Sequence, residues 1–409
     1  MRILYALTAY KPAWRVGGPV LSVSDAAEAL VRKGHRVTVF CSNSNLDRDL
    51  DVPVDRPLDV DGVEVWYCRR EEPMQKWLPF VPYLARSIGF MYCPAMRAAL
   101  DRTMPSIDVV DTHMPFVYPS YAAARAAFRH RRPLVYHQRG NFDPARLRFR
   151  PWKKRLYIDL IERPIMRRAT ILVGLTEAER ASFRALGVRT PVEVVPNGVR
   201  LPDERPGAGE RVQRRWGIAP GAPLVLFMGR LHPTKGAERL LAAFARVQER
   251  LPGAVLVMAG PDEWKLQAAW NARLAQGALA GCVHFPGMLT GDDKADMLAR
   301  ADLFALPSLG EGFSMAVLEA LAARTAVMLS PGCHFPEVDE AGCGVTVAAD
   351  EAAMGAALVD LLERPDRLRV MGAAGRRLVA ARYSWDAITD RLLSVYERAI
   401  TVEPAAAAR

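Results

Sequence analysis

A short β-branched and apolar run at 2–7 opens the chain, an apolar stripe of helical spacing follows at 21–31, and a second strand-like run comes at 36–41. The glycine pair Gly17-Gly18 lies between the first run and the helix, so the order is strand, glycine loop, helix, strand: the start of a βαβ series. Further strand patterns at 64–68, 109–112, 134–137 and 170–174 alternate with Ala- and Arg-rich helical stretches. Such alternation predicts a parallel sheet with helices on both faces. Several Pro and Gly residues with mixed charge at 201–221 read as a linker, and a second alternating series has strands at 224–228, 254–259, 283–285, 303–306 and 326–329. At 384–400 an amphipathic helix is expected, with Trp385, Ile388, Leu392, Val395 and Tyr396 on one face. The pattern thus predicts an α/β protein of two doubly wound domains, 1–200 and 201–382, and a terminal helix at 383–401.

Composition narrows the class. Half of the 409 residues are hydrophobic, enough for two cores, and the charged fraction of 24% excludes a disordered or collagen-like chain. The formal charge of +10 suits a phosphorylated substrate, an anionic membrane face or nucleic acid. Six scattered cysteines without Cys-x-x-Cys spacing or histidine partners fit buried thiols in a reducing compartment, with no structural zinc. No signal peptide is read at the N-terminus, and no apolar run reaches the roughly 18 to 20 residues of a membrane span, so a cytoplasmic protein with at most peripheral membrane contact is expected. Between 76 and 100, Trp77, Phe80, Tyr83, Phe90, Met91 and Tyr92 are interleaved with Pro and flanked by Lys76, Arg86 and Arg97. This segment suits either a lipid interface or a helix pair packed on the core.

The candidate chemistry concentrates after two strands of the second series. Glu311-Gly312-Phe313-Ser314 opens a helix that carries Glu319 eight positions after Glu311. The unpaired amides and positive dipole of a helix start suit a diphosphate, and Gly312 permits close approach. Glu319 is placed to accept hydrogen bonds from ribose hydroxyls and Glu311 from those of a transferred sugar, neither needing a metal. Arg230 and Lys235 bracket the loop after the strand at 224–228, where open α/β sheets bind ligands, and can stabilise charge growing on a leaving diphosphate. In the first series His113 ends one strand and His137 the next, so both face the ligand side; His113 can orient donor or acceptor, and Arg139 suits an acceptor phosphate.

Gly229-Arg230 through Lys235-Gly236, followed by Glu311-Gly312-Phe313 and Glu319, resembles the GT4-type retaining glycosyltransferases of GT-B fold. Gly17-Gly18-Pro19, Thr176-Glu177-Ala178-Glu179, Val195-Pro196-Asn197-Gly198 and Tyr383-Ser384-Trp385 agree with that family. The resemblance implies two facing Rossmann-like domains with the C-terminal helix crossing back to the first. It places the nucleotide sugar mainly on the second domain and the acceptor on the first. It further implies that Glu311 contacts the donor sugar, Glu319 the ribose, and Arg230 and Lys235 the diphosphate, with Gly17 and Gly18 approaching the phosphates across the cleft. Gly312, Phe313 and Ser314 complete the donor loop; many relatives carry glycine at position 314, which bears on donor choice. The expected activity is metal-independent, cofactor-free, retaining hexosyl transfer from a UDP- or GDP-linked sugar. The expected acceptor is a lipid-linked glycan of surface polysaccharide synthesis (lipopolysaccharide or exopolysaccharide), met at the inner face of the cytoplasmic membrane.

Other readings remain on the sequence. A nucleotide-sugar epimerase or a phosphorylase shares such a cleft, and transfer to an added acceptor separates them. A dehydrogenase is disfavoured because Gly17-Gly18 lacks Gly-x-Gly-x-x-Gly spacing. A non-enzymatic membrane or nucleic-acid binder would use Arg125, Arg129, Arg131, Arg132 and Lys153-Lys154-Arg155, but no nucleic-acid motif accompanies them, so nucleic acid is not an expected partner.

Overall fold

Two parallel sheets carry the chain, one in each of two compact units: Met1–Gly198 together with Trp385–Arg409, and Val199–Ser384. The computed structural model describes residues 1–46, 48–71, 91–142, 147, 151–274 and 279–402. The aromatic segment read at 76–100 falls largely within 72–90, outside the described residues.

In the first unit β1 (Arg2–Ala6), β2 (Arg36–Ser42), β3 (Pro57–Val60), β4 (Val63–Cys68), β5 (Val109–His113), β6 (Leu134–His137), β7 (Ile171–Gly174) and β8 (Val192–Val194) form one sheet. Its order is β8-β7-β6-β5-β1-β2-β4-β3, parallel except where β3 returns on β4. The two edge strands, β3 and β8, were not among the sequence expectations, because short edge strands lack the continuous apolar run of buried ones. Asp61 and Gly62 (φ 53° and 80°) make the two-residue turn of that hairpin, as a Asp-Gly pair favours. One face buries Ile3, Tyr5, Val39 and Val109 with the helix α1 (Gly18–Arg32) and the C-terminal helix Trp385–Thr401. The expected stripe of that last helix, Trp385, Ile388, Leu392, Val395 and Tyr396, is buried here. Burying five such side chains contributes on the order of 10 kcal/mol before the entropy of ordering the helix is counted. The helix therefore belongs to the first unit although the chain has passed through the second.

The second unit has β9 (Leu224–Met228), β10 (Val255–Ala259), β11 (Val283–Gly287), β12 (Leu303–Leu306), β13 (Ala326–Leu329) and β14 (Gly344–Thr346). They are all parallel, in the order β11-β10-β9-β12-β13-β14. The chain winds outward from β9 to β11 and then returns to the other side of β9 with β12. That reversal makes β9/β12 the switch point, where loops diverge and leave a crevice at the carboxyl ends of the strands. In the first unit β1/β5 is the equivalent point. Every candidate residue lies at one of these two sheet ends or on the helix that follows it.

The six cysteines are free thiols, five of them buried. Among the described residues no helix is long and apolar enough to cross a membrane.

Candidate functional site

The loops after β9, β12 and β13 in the second unit are tied together by backbone. Thr234 O accepts from Leu309 N (2.7 Å) and Ser308 Oγ (3.1 Å), and Gly332 O accepts from Glu311 N (2.9 Å). Gly236 is obligatory here: its φ is +75°, and a Cβ would stand 2.0 Å from Pro307 O. Two strand-end loops thus approach with no room for a side chain, and what they bring together is the first result of the fold. Lys235 Nζ donates to both carboxylate oxygens of Glu311, at 2.5 and 2.6 Å. The Glu311 side chain is 7% exposed and that of Lys235 20%, so the pair lies at the rim of the crevice in a low-dielectric setting.

Four residues beyond Glu311 the chain enters the helix α2 (Met315–Ala322), with Ser314 as N-cap making no side-chain cap bond. Its first amides are consequently unsatisfied by the cap residue, the arrangement that receives an anion. Phe313 does not point its ring freely outward; the ring packs against Phe335 and Tyr383, each at 6.1 Å, and anchors the loop that carries Gly312. Glu319, one turn further, is bound by Lys294 Nζ at 2.6 Å. Arg230 stands apart from this cluster, half exposed, with Glu263 at 3.7 Å. His232, from the same loop, caps the turn Pro233–Lys235 by accepting from Thr234 N (3.1 Å) through Nδ1, and its ring meets Trp264 edge-on at 4.7 Å. Burial and the neighbouring charges of Arg230 and Lys235 hold His232 below its usual value, so it remains neutral in this cationic loop.

In the first unit β5 and β6 pair so that His113 and His137 are neighbours in register. Both are buried, at 2% exposure. Arg139 bends back from the left-handed pair Arg139-Gly140 (φ 49° and 73°) and ties three elements together. Its Nε donates to His113 Nδ1 (3.1 Å), and its Nη1 donates to Ser22 Oγ of α1 (3.1 Å) and Asn197 Oδ1 (2.9 Å). Gly17, at φ +100°, and Gly18 are exposed at the start of the same α1.

Asp111, His113 and His137 have ligand atoms within 4.8 Å of one another, the spacing of a metal site. Their chemistry opposes one. Arg139 is a donor only, so His113 Nδ1 must offer its lone pair and Nε2 must carry the proton; that nitrogen has nothing to give a cation. The adjacent guanidinium charge adds to the penalty.

Comparison with known proteins places both units in one family. Residues 17–198 match the glycosyl transferase 4-like domain, and residues 222–364 match glycosyl transferases group 1. The alpha-maltose-1-phosphate synthase of Mycolicibacterium smegmatis is 30% identical over 272 residues, 61% of this chain and 70% of that protein. This chain belongs to the group 1, GT4-type glycosyltransferase family.

Within that family, a D-inositol 3-phosphate glycosyltransferase from Segniliparus rotundus is 34% identical over 240 residues, 56% of this chain and 52% of the relative. The chain spans about half the length of that relative in the match. The structure of Anabaena HepE in complex with UDP and glucose superimposes with a TM-score of 0.71 at 19% identity, covering 97% of this chain and 99% of that one. The fold is GT-B. Against the family pattern read from the sequence, the structure joins Glu311 to Lys235 and His113 to Arg139, and leaves Arg230 and Glu319 in separate contacts. It adds Lys294 and Asp111, which sequence reasoning missed. Asp111 had a signal, since Asp111-x-His113 places both side chains on one strand face. Lys294 had none, because it lies 25 residues from its partner.

Proposed function

We propose that this chain is a retaining, metal-independent glycosyltransferase that moves a hexosyl group from a UDP- or GDP-linked sugar to a lipid-linked glycan acceptor of surface polysaccharide synthesis. The observation that carries this reading is the Lys235–Glu311 pair beside the open start of α2. A diphosphate at that helix start would find unsatisfied amides and the Lys235 charge, which together stabilise a departing nucleotide without a metal ion. Glu311, held by both its oxygens, suits hydrogen bonding to sugar hydroxyls better than covalent attack, so the retention proposed here would proceed by same-face delivery of the acceptor. Glu319, steadied by Lys294, is assigned the ribose. UDP and glucose in the HepE complex support the donor class.

The acceptor is assigned to the first unit, where Arg139, anchored by His113, Ser22 and Asn197, brings a positive charge to the carboxyl end of the sheet. The inositol phosphate in the relative's name supports a phosphorylated acceptor. Contact with the cytoplasmic face of a membrane is supported by a ridge on the helix Pro151–Tyr157 and the turn Ile158–Glu162 that follows it. Trp152, Leu156 and Leu160 are 67%, 54% and 64% exposed at four-residue spacing, with Arg155 exposed on the same helix.

The test is nucleotide release from a panel of UDP-, GDP- and ADP-sugars, with chelator present, with and without a membrane lipid extract, in the wild type and Glu311→Ala. Selective release that needs Glu311, survives chelation, requires lipid and yields product of unchanged anomeric configuration is the expected result. Release that requires a divalent ion, or inversion at the anomeric carbon, would overturn the mechanism. Transfer to a soluble metabolite alone would overturn the acceptor.

A further inference from the structure

A chain of buried hydrogen bonds runs from the C-terminal helix to Arg139. Tyr396, on that helix, donates its phenol proton to Asp111 Oδ2 at 2.6 Å, across 285 residues of sequence. Tyr5 lies 3.0 Å from the Tyr396 oxygen. Because the Tyr396 proton is committed to the carboxylate, Tyr5 is the donor in that second bond, and the order is Tyr5 to Tyr396 to Asp111. Burial and the Asp111 charge push both phenols far above their ordinary range, so neither gives up its proton. All three side chains are fully buried.

The other carboxylate oxygen, Oδ1, makes no hydrogen bond and lies 3.8 Å from His113 Nε2, itself without a hydrogen bond. His113 thus stands between opposite charges: the Arg139 guanidinium on its Nδ1 side and the Asp111 carboxylate on its Nε2 side. A neutral imidazole takes whichever tautomer its surroundings favour. Here both charges favour the same one, with the proton on Nε2 facing Asp111 and the lone pair on Nδ1 facing Arg139. The histidine has no lone pair left for a ligand; in this arrangement it acts on Arg139. Burial, with the Arg139 charge and His137 beside it, holds His113 well below its ordinary value, so the ring stays neutral while it does so.

We propose that Asp111 and Tyr396 are positioning residues that, through the tautomer of His113, hold the Arg139 guanidinium in place to meet an anionic group of the acceptor. The acceptor part rests on the assignment made under the proposed function; the positioning part does not. Without the Tyr396 proton, Asp111 Oδ2 keeps only the His137 ring beside it, with Nε2 at 3.1 Å; the carboxylate shifts toward that ring, His113 Nε2 loses its electrostatic partner, and Nδ1 is no longer kept free of a proton. Arg139 then loses one of its three anchors.

The experiment uses the full chain labelled with 15N-histidine and 15N-arginine near neutral pH. The sequence has seven histidines, few enough to assign with a His113→Gln reference. The wild type is expected to show His113 as the pure Nε2–H tautomer and a slowly exchanging Arg139 Nε–H. In Tyr396→Phe and Asp111→Asn, each close to the native side chain in shape, the tautomers mix and the Arg139 Nε–H exchanges at least about tenfold faster, while nucleotide affinity stays within about twofold. An unchanged tautomer and unchanged exchange in both variants would overturn the positioning. The acceptor part is read separately from steady-state transfer: a rise of about tenfold in KM for a phosphorylated acceptor, with the donor KM unmoved, supports it. If the NMR signatures change but that KM does not, the network stands and Arg139 is not the acceptor contact.

Discussion

Lys235 Nζ lies 2.5 and 2.6 Å from the two oxygens of Glu311, joining two loops 76 residues apart at the carboxyl end of one sheet. The pair gives the loop a shape and also a charge balance: a cation that would repel its neighbours and a carboxylate that would repel a diphosphate are each neutralised until a ligand arrives. The two side chains therefore act as a unit, and their substitutions are not expected to add.

Either Glu311→Ala or Lys235→Ala is expected to lower turnover by roughly 10²- to 10³-fold, the usual cost of removing one preorganised electrostatic group. The double variant is expected to lose little more than the worse single one. Losses that simply multiplied, measured by steady-state nucleotide release, would show two independent residues. Lys235→Ala also strands a nearly buried carboxylate and is expected to destabilise the second unit by about 1–3 kcal/mol, read from urea unfolding, with Glu311→Gln closer to neutral.

Lys294 bonds at 2.6 Å to one oxygen of Glu319, the carboxylate proposed to hold the ribose. If Glu319 holds the ribose as proposed, Lys294→Met is expected to weaken nucleotide binding about tenfold in calorimetry and to change turnover at saturating donor by less than about twofold, because such recognition is shared by ground and transition states. Lys294→Arg should recover most of the affinity. Equal affinity in the Met variant would remove Glu319 from the binding site.

Asp296 accepts from Arg211 at 2.7 and 2.8 Å and from Arg205 at 2.5 Å. These bonds, those of Arg211 foremost, hold its carboxyl below the usual carboxylate range against the opposing effect of burial. At acid pH the unfolded chain binds this proton first, so the stabilisation is complete above about pH 4 and disappears as pH falls through the lower folded-state value. Asp296→Asn is expected to cost about 1 kcal/mol at neutral pH, since both arginines are partly exposed, and to flatten the acid limb of the stability curve. Chemical denaturation of both proteins across acid pH checks it; parallel limbs would sink the assignment.

Parallel strands buried on both faces tend to leave apolar runs, so the strand pattern expected at 2–7, 224–228 and 303–306 recurs in the structure nearly residue for residue. The short edges β3 and β8 were not legible, because an edge strand is specified by its partner more than by its own composition. For the site the division is the same. Glu311, Gly312, Ser314 and Glu319 are close in sequence and begin one helix, so their common location was open to reading; that Lys235 would take both oxygens of Glu311 was not.

What the sequence by itself determined is therefore what lies within one strand, loop or helix: the alternation that builds two Rossmann-like sheets, the apolar stripe that brings the last helix down on a core, and the residue types at each strand end. Only the tertiary structure decided the partners: Lys235 with Glu311, Lys294 with Glu319, Tyr396 with Asp111. The reason is physical. Local pattern follows from the period of helix and strand, whereas a buried charge or phenol must find its partner wherever strand order and helix packing bring one within hydrogen-bond reach, and for Tyr396 that was a strand 285 residues earlier in the chain.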